Sequence, residues 1–547
     1  MAFEGVKNVL RKFRAQPSKE KELHVSGGEA SFEAGRNLRQ FPHWRPQPKL
    51  ANEDIRLSRK AAIARSRDLI YNNPSAASAM RVIRNAVCGN GWRLSLKPDY
   101  VSLGISQEQA EEFAKKGERL FNTMAQSPSC PFDISRSMTF DGIIRSVCNT
   151  YLNSGDSFGV MRWERSHMGT YTCVQLCDPL RVETPTEYDH SIDVRDGIKI
   201  DENGRPTRYY IQDPSYKREL KLYKSDGFKE VKAETGTGRK IMLHVFRADY
   251  AEQMRGMPQL TPSMRILKQI DQYISNENDR MALQANLAMK IKSNENSDVV
   301  QNFMAMRPAG SIENQIEQSI EIEKIIYEAK APHVANLRED LCSNTGATVV
   351  ALTTGEDLEV IQGHNHVDTF EGYTKVSQKA FSSGVGVDYA TSHNDMSDTS
   401  YSAARVGDGS AWKNYDEHKK IIEAKFALPF MQCVMEELID IGLLEMPDGV
   451  DDFHMAKDFL LKGHFISSGR PLIDPLKERK AQELALALGI TTLEDVCATE
   501  GRDYEEVLMQ LKREKDLREK LGLVMTAQEV TEKQQQQEIN EGSDEAE

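Results

Sequence analysis

Residues 139–165 read TFDGIIRSVCNTYLNSGDSFGVMRWER, and the order of elements in this stretch decides the class of fold. Ile143, Ile144, Val147, Cys148, Tyr151 and Leu152 recur at helical spacing, and Gly155 stands where a helix would stop. FGVMRWE then follows with the short apolar and β-branched run of a strand. The turn between them spells Gly155-Asp156-Ser157-Phe158-Gly159, the G-x-S-x-G letters of an esterase nucleophile elbow. An elbow runs strand, turn, helix, whereas this turn runs helix to strand. Ser157 is therefore expected to be a plain turn residue, and the chain an α+β protein with no acyl-transfer centre.

Working outward, the pattern is helical toward the N-terminus. ANEDIRLSRKAAIARSRDLIYNN (51–73) carries Arg56, Arg59, Lys60, Arg65 and Arg67. Asn73 is a cap for the next helix and Pro74 suits its first turn. That helix presents Ala76, Ala79, Met80, Ile83 and Val87 before the glycines at 89 and 91, and Trp92, Leu94 and Leu96 then alternate as a strand. Ser106 and Gln109 form a capping box for a further helix. Toward the C-terminus the period changes to two: FGVMRWE, YTCVQLCD, TRYYIQD, RELKLYKSD and RKIMLHVFRAD read as strands. From Thr261 and Pro262 a long helix begins, apolar at first and polar later, a stripe weak enough to suggest packing against copies of itself. The acidic run 311–330 follows, then a hairpin around Gly355, a helix from Val367, a glycine-bearing loop, and a long helix from about Thr399 to Gly442. Short helices stopping at Gly489, Gly501 and Gly522 precede a Gln-rich acidic tail expected to be disordered.

The chain has 547 residues, 39% hydrophobic and 28% charged, with a formal net charge of −13. That balance excludes broad gripping of nucleic acid, which needs clustered Lys and Arg, but not light contact with DNA. No apolar run approaches the ~20 residues of a membrane helix, and no signal-peptide h-region opens the chain. The basic N-terminal stretch reads as a docking arm or frayed end. The eight cysteines are scattered, and the only close pair, Cys173 and Cys177, would lie ~13 Å apart along a strand. Buried, reduced thiols and a cytoplasmic origin follow. ETGTGRK (234–240) is glycine-rich, yet the chain holds no Gly-Lys dipeptide, so a hairpin and not a Walker loop is expected. GHNH (363–366), with His393 and Asp395, is the one arrangement that sketches a metal site, and the blander reading is a helix start at Asp368 or Thr369. With none of these motifs in its required context, no enzyme, cofactor or metal is expected.

Three ordered stretches carry a resemblance. ARSRDLIYNNPSAASAMRVIRNAVCGNGWRLSLKPD (64–99) has an Arg-rich helix, Asn73-Pro74, a small-residue helix and Gly89-x-Gly91 before a strand. SSGVGVDYATSHNDMSDTSYSAARVGDGSAWKNYDEHKKII (382–422) has a glycine-bearing loop, Asp388, and the helix start Tyr401, Ser402, Arg405. PLIDPLKERKAQELALALGITTLEDVCATEGRDYEEVLMQLKREK (471–515) adds Asp474-Pro475, Gly489 and Gly501-Arg502-Asp503. Together, from about residue 50 to 515, they resemble the lambda-type portal proteins of tailed bacteriophages. One departure is that HFISSGRPLIDP lacks a tryptophan before Asp474-Pro475.

The resemblance implies a homo-oligomeric ring, usually of twelve subunits, at one capsid vertex of the virion. It implies a channel for double-stranded DNA in packaging and ejection. The expected partners are further copies of the chain, the terminase large subunit, the head–tail connector, and major capsid and scaffold proteins, with synthesis in the host cytoplasm and no membrane. On the chain it places a mobile arm over 1–50, a wing over 51–260, a stem helix over 261–291 and a clip over 292–345. A wing hairpin and returning stem helix fill 346–383, a tunnel loop 384–399, and a long helix 400–442. A helical crown takes 443–523 and a disordered tail 524–547. Gly384, Val385, Gly386, Val387, Asp388, Tyr389, His393 and Asp395 would face DNA. Acidic or mixed walls would let DNA slide where a basic bore would trap it. Two alternatives stand beside this: a metal-dependent nuclease using His364 and His366, and a channel-less minor capsid or scaffold protein.

Overall fold

The computed structural model describes residues 48–188, 191, 193–213, 227–285, 289–293, 356–360, 367–397, 400–450, 452–467, 469–470, 474–502 and 504–521. The N-terminal arm, the strand expected over 218–226, most of the clip with its acidic run, the first strand of the Gly355 hairpin, His364 and His366, and the acidic tail lie outside them.

Helices dominate the first part of the described chain. α1 (Ala51–Asn72) and α2 (Pro74–Cys88) are separated by Asn73, whose side chain accepts the Ala76 N–H. β1 (Arg93–Leu96) follows, and Trp92, Leu94 and Leu96 are buried as their alternation requires. α3 (Gln107–Ala125) opens on the Ser106/Gln109 capping box, and α4 (Phe140–Ser154) ends at Gly155. The strands β2 (Asp156–Trp163), β3 (Thr172–Cys177), β4 (Val194–Arg195), β5 (Ile198–Ile200), β6 (Pro206–Gln212), β7 (Phe228–Lys232) and β8 (Met242–Phe246) form two antiparallel sheets, in the orders β3-β2-β8 and β4-β5-β6-β7. Phe158, Val160, Cys177, Val182, Ile198, Tyr209 and Met242 are buried together in one apolar cluster drawn from both sheets. Ser157, expected in a turn, pairs with Val245 as the second residue of β2 and is buried, because the ladder with β8 begins at Asp156. Glu234 and Lys240 bridge across the 235–239 turn, the hairpin expected there.

After a turn at Thr261–Ser263 comes α5 (Met264–Ala285), then β9 (Met289–Ser293), which pairs antiparallel with β10 (Glu356–Val360). The stem helix expected to reach 291 therefore ends earlier, because MKIKS joins a strand ladder whose partner is distant in sequence. α6 (Val367–Val385), the short α7 (Tyr389–His393) and α8 (Tyr401–Ile422) follow. α8 continues through a π-helical stretch, Glu423–Ala427, into α9 (Leu428–Asp440). The last elements are α10 (Phe453–Leu460), β11 (Gly463–Ile466), α11 (Pro475–Ala487), α12 (Leu493–Thr499) and α13 (Tyr504–Leu521).

The main core is helical and aromatic. Phe121, Phe132, Phe140, Phe430 and Phe465 are fully buried, with neighbouring centroids such as Phe132–Phe430 at 5.1 Å and Phe121–Phe140 at 5.3 Å in edge-to-face arrangement. Phe465 belongs to β11, which pairs with β1. Residues 443–466, expected in a crown, thus include a strand held in the main core. Glu423 of the π-helical stretch accepts the Phe465 N–H at 2.6 Å, so the extra backbone width there is used to hold β11.

The Arg-rich helix α1 has a structural use. Buried Arg59 makes a two-bond pair with Asp196 at 2.7 and 3.0 Å. Arg67 reaches Asp178 and Ser154, and Lys60 reaches Glu183 at 3.0 Å. These basic side chains strut the helical layer against the turns of the β-rich region. All seven cysteines among the described residues are buried free thiols.

Candidate functional site

The candidate site is the segment joining α6 to α8, together with the groups that hold it. It starts at a joint far back in the chain. Gly155 has φ +83, and a Cβ on it would stand 2.5 Å from the backbone of Gly256 and Met257. Only glycine allows so close a backbone approach at positive φ. Beside it, Asp156 is fully buried and accepts from Arg255 Nε at 2.7 Å and from the Gly256 N–H at 2.6 Å. Arg255, also buried, donates to the carbonyls of Pro179, Val182 and Asp196. Burial works against the Asp156 carboxylate, but Arg255 and His244 outweigh it and hold the group down at about 2. Burial lowers His244 to about 4, against the opposing pull of Asp156, and its ring stacks 4.2 Å from Phe158.

This joint fixes the chain entering α5. The Gln259 N–H donates to Leu152 O, and its side chain donates to Val385 O at 2.9 Å. Ser263 donates to Phe381 O, and Asn73 donates to Asp271 at 2.7 Å. α5 and α6 pack side by side through Tyr273, which stacks on Phe370 at 5.4 Å and meets Tyr373 edge-on at 4.7 Å.

The segment expected to be a loose loop is built from short, tethered turns. Gly384 and Val385 are the last residues of α6. Gly386 has φ +81, and the N–H groups of Gly386 and Val387 both return to Ser382 O, closing the helix. Asn414 of α8 donates to Gly386 O at 3.0 Å and leaves no room for a Cβ there. Asp388 caps α7 by accepting the Thr391 N–H and hydroxyl, and Ser78 of α2 donates to Ser392 O at 2.7 Å. Val385 and Val387, expected to face DNA, are instead buried in the chain's own core, because apolar side chains at a helix end gain by turning inward. The groups left toward solvent are Thr391, Asn394, Met396 and Ser397, with Asp388, Tyr389, His393 and Asp395 half-buried.

Asp395 accepts from Ser397 and, at 2.9 Å, from Tyr389, and Lys375 lies 3.9 Å away. The Ser397 hydroxyl and N–H, then Tyr389, hold its carboxyl at about 2. Burial lowers His393, whose ring stacks 5.0 Å from Tyr389. An open cleft of about 450 Å³ lies between α6 and α8, lined by Lys379, Ser383, Asp388, Tyr389, Ser410 and Asn414 among others. The Ser392 hydroxyl lies 3.0 Å from His393 Nδ1, but it is buried and also meets the Ser382 hydroxyl and the Tyr389 carbonyl, so it is closed off from a substrate.

The other motif residues have local roles. Pro74 is the first residue of α2 and Gly89 its C-cap, and Gly91 abuts Asp141, which accepts the Trp92 N–H at 2.8 Å. Tyr401 opens α8 after the cap Ser400, Ser402 is exposed, and the Arg405 carbonyl accepts from Arg470. Asp474 caps α11, whose first residue is Pro475. Among the described residues no group of three or more His, Cys, Asp or Glu side chains could hold a metal ion, and none of their helices is long and apolar enough to cross a membrane. Sequence reasoning missed Gln259, Asn414 and Ser78, the polar anchors of the turn. None lies within a short motif, since each acts on a backbone group far away in the chain.

Comparison with known proteins bears on what such an arrangement is for. The family model described as phage portal protein, lambda family, matches residues 37–419. The chain is 26% identical over 493 residues to the portal protein of Escherichia phage N15, covering 88% of this chain and 89% of that one. It is 26% identical over 490 residues to portal protein B of Escherichia phage lambda, with the same coverages. Among solved structures, the neck of an empty gene transfer agent particle matches with a TM-score of 0.43 at 10% identity, over 81% of this chain and 94% of that chain.

Proposed function

The chain belongs to the lambda family of phage portal proteins, a family of structural proteins and not enzymes, and from that premise we propose how it assembles and which parts meet DNA. Copies of the chain close into a ring, of twelve subunits in the assembled capsid, that surrounds double-stranded DNA during packaging and ejection. The ring occupies one vertex of the virion, is made in the host cytoplasm, and receives the terminase large subunit first and the head–tail connector later. Capsid and scaffold proteins surround it.

In this reading residues 51–256 with 428–466 are the wing, α5 and α6 the stem, β9 and β10 the base of the clip, and α11–α13 the crown. The turn 386–397 points to the channel through Thr391, Asn394, Met396 and Ser397. The observation that carries the reading is the family match across 37–419, which spans the joint, the stem and the turn together. A protein that passes DNA without holding it is also consistent with a net charge of −13, since 83 acids outweigh 70 bases.

The test is genome packaging. Procapsids assembled with this chain, given motor, ATP and linear DNA, should protect a full genome length from nuclease. Replacing Asn394 and Met396 with arginines should leave procapsids intact and slow DNA entry. Unchanged packaging with both arginines would remove the turn from the channel wall.

A further inference from the structure

The C-terminal end of α2 is clamped against one face of α4. Asp141, Arg145 and Cys148 stand four and three residues apart on α4, so they share that face. Asp141 accepts the Trp92 N–H at 2.8 Å, and Arg145 donates to Gly89 O at 3.4 Å. One step further along, Cys148 meets Cys88, the last residue of α2, and the two thiols share a hydrogen bond. Both belong to the main core, Cys88 being 3% exposed and Cys148 fully buried. Cys130, Cys173 and Cys433 instead each donate to a backbone carbonyl.

The two sulfurs are not equivalent. The hydrogen bond from Cys148 holds the Cys88 thiol below its ordinary value against burial, with Arg145 and Arg84 adding to the effect. The same bond, and then burial, pushes the Cys148 thiol well up. Cys88 is thus the better nucleophile, with Cys148 kept protonated beside it. Cys88 also stands at the end of its helix, where local opening costs least.

We propose that Cys88 and Cys148 are an oxidation site, closed to a disulfide by a peroxide-class oxidant once the assembled particle leaves the reducing cytoplasm. The Cys88 sulfur attacks one peroxide oxygen and the O–O bond breaks. The Cys88 proton goes to the departing hydroxide, which leaves a sulfenic acid and one water. The Cys148 sulfur then displaces the sulfenic hydroxyl, which takes the Cys148 proton and departs as a second water. Two thiols lose two electrons, and the peroxide gains them. Disulfides persist outside a reducing compartment. This one ties α2, which reaches the turn through Ser78, to α4, which runs into the Gly155 joint. The timing rests on the virion reading, and the bond itself does not.

The reduced full-length chain, treated with hydrogen peroxide, alkylated in urea, digested with trypsin and read by mass spectrometry, tests it. Peptide 85–93, which carries Cys88, should appear joined to 146–162, which carries Cys148, and the two should separate on reduction. Oxidation of Met455, which is 80% exposed, gauges the dose. Cys148→Ser should leave Cys88 as a sulfenic acid that dimedone traps, and Cys88→Ser should leave Cys148 a thiol. Thiols at both positions that still alkylate once Met455 is oxidised would overturn the site, as would Cys88 joined to a different cysteine. Virions purified without reductant should carry the joined peptides, and procapsids alkylated inside the cell should not. Free thiols in virions, with joined peptides in the treated chain, would overturn the closure on release and the proposal with it. A chain absent from virions would overturn the virion reading and leave the bond to be judged by the treated chain.

Discussion

Arg255→Met is the most informative single change in the joint that leads into α5. Arg255 is buried and donates to the Asp156 carboxylate and to three backbone carbonyls, those of Pro179, Val182 and Asp196. Methionine restores some volume but none of the donors. Leaving a buried carboxylate unpaired costs about 3–5 kcal/mol, and orphaned acceptors add to this where water does not reach them. The expected loss is about 4–6 kcal/mol, read as a fall in the urea midpoint by circular dichroism. The pH dependence gives a second signature. In the parent chain Asp156 is held at about 2, below its ordinary 3.8, so its contribution is fully present above pH 4 and is lost as pH falls toward 2. That shift corresponds to about 2.5 kcal/mol. Without the guanidinium the buried carboxyl favours its neutral form, so acid relieves the variant. The gap between variant and parent should therefore narrow from pH 7 to pH 4. A double change, Asp156→Leu with Arg255→Met, removes both charges and should be less destabilised than Arg255→Met alone. A loss below about 1 kcal/mol for Arg255→Met, or a gap that widens in acid, would refute the reasoning.

Other changes probe neighbouring parts of the same frame. Gly155→Ala puts a Cβ 2.5 Å from the 256–257 backbone at positive φ, and should cost about 3 kcal/mol or more in thermal or urea unfolding. His244 and His418 are each lowered by burial to about 4, below an ordinary 6.5. Their contribution is present above pH 6.5 and lost as pH falls through 4, about 3 kcal/mol for each. His418→Gln, which keeps a hydrogen bond to Tyr151 but does not titrate, should flatten part of that slope in a pH series of unfolding midpoints. Asn414→Ala frees the Gly386 carbonyl and should speed exchange at 386–388 without changing oligomeric state. Deleting 385–395 would remove core residues Val385 and Val387, so it should destabilise the fold as a whole.

What was legible in the sequence follows from how local each signal is. The α2 cap at Asn73, the α3 capping box and the period-two strands around 156–177 depend on neighbours within a few residues, and each formed as its residues require. β11 was missed because GHFI is short and its partner β1 lies hundreds of residues earlier. β9 was hidden in a polar helical run for the same reason, its partner β10 arriving only after a long insertion. The Arg-rich helix advertised charge, but the acids that neutralise it sit in turns at 178, 183 and 196. In the turn after α6, the glycines at 384 and 386 drew attention to freedom, while the valines between and after them decided the packing. Fold class was therefore readable from periodicity, and the direction of individual side chains was not.

The central claim is a closed ring around an axial hole. Light scattering behind a sizing column, with negative-stain images of the main peak, tests it most directly on purified full-length chain. The account predicts annular particles of about a dozen subunits with a central opening. A folded monomer at every concentration, with no annular particle even when procapsids are supplied, would contradict it.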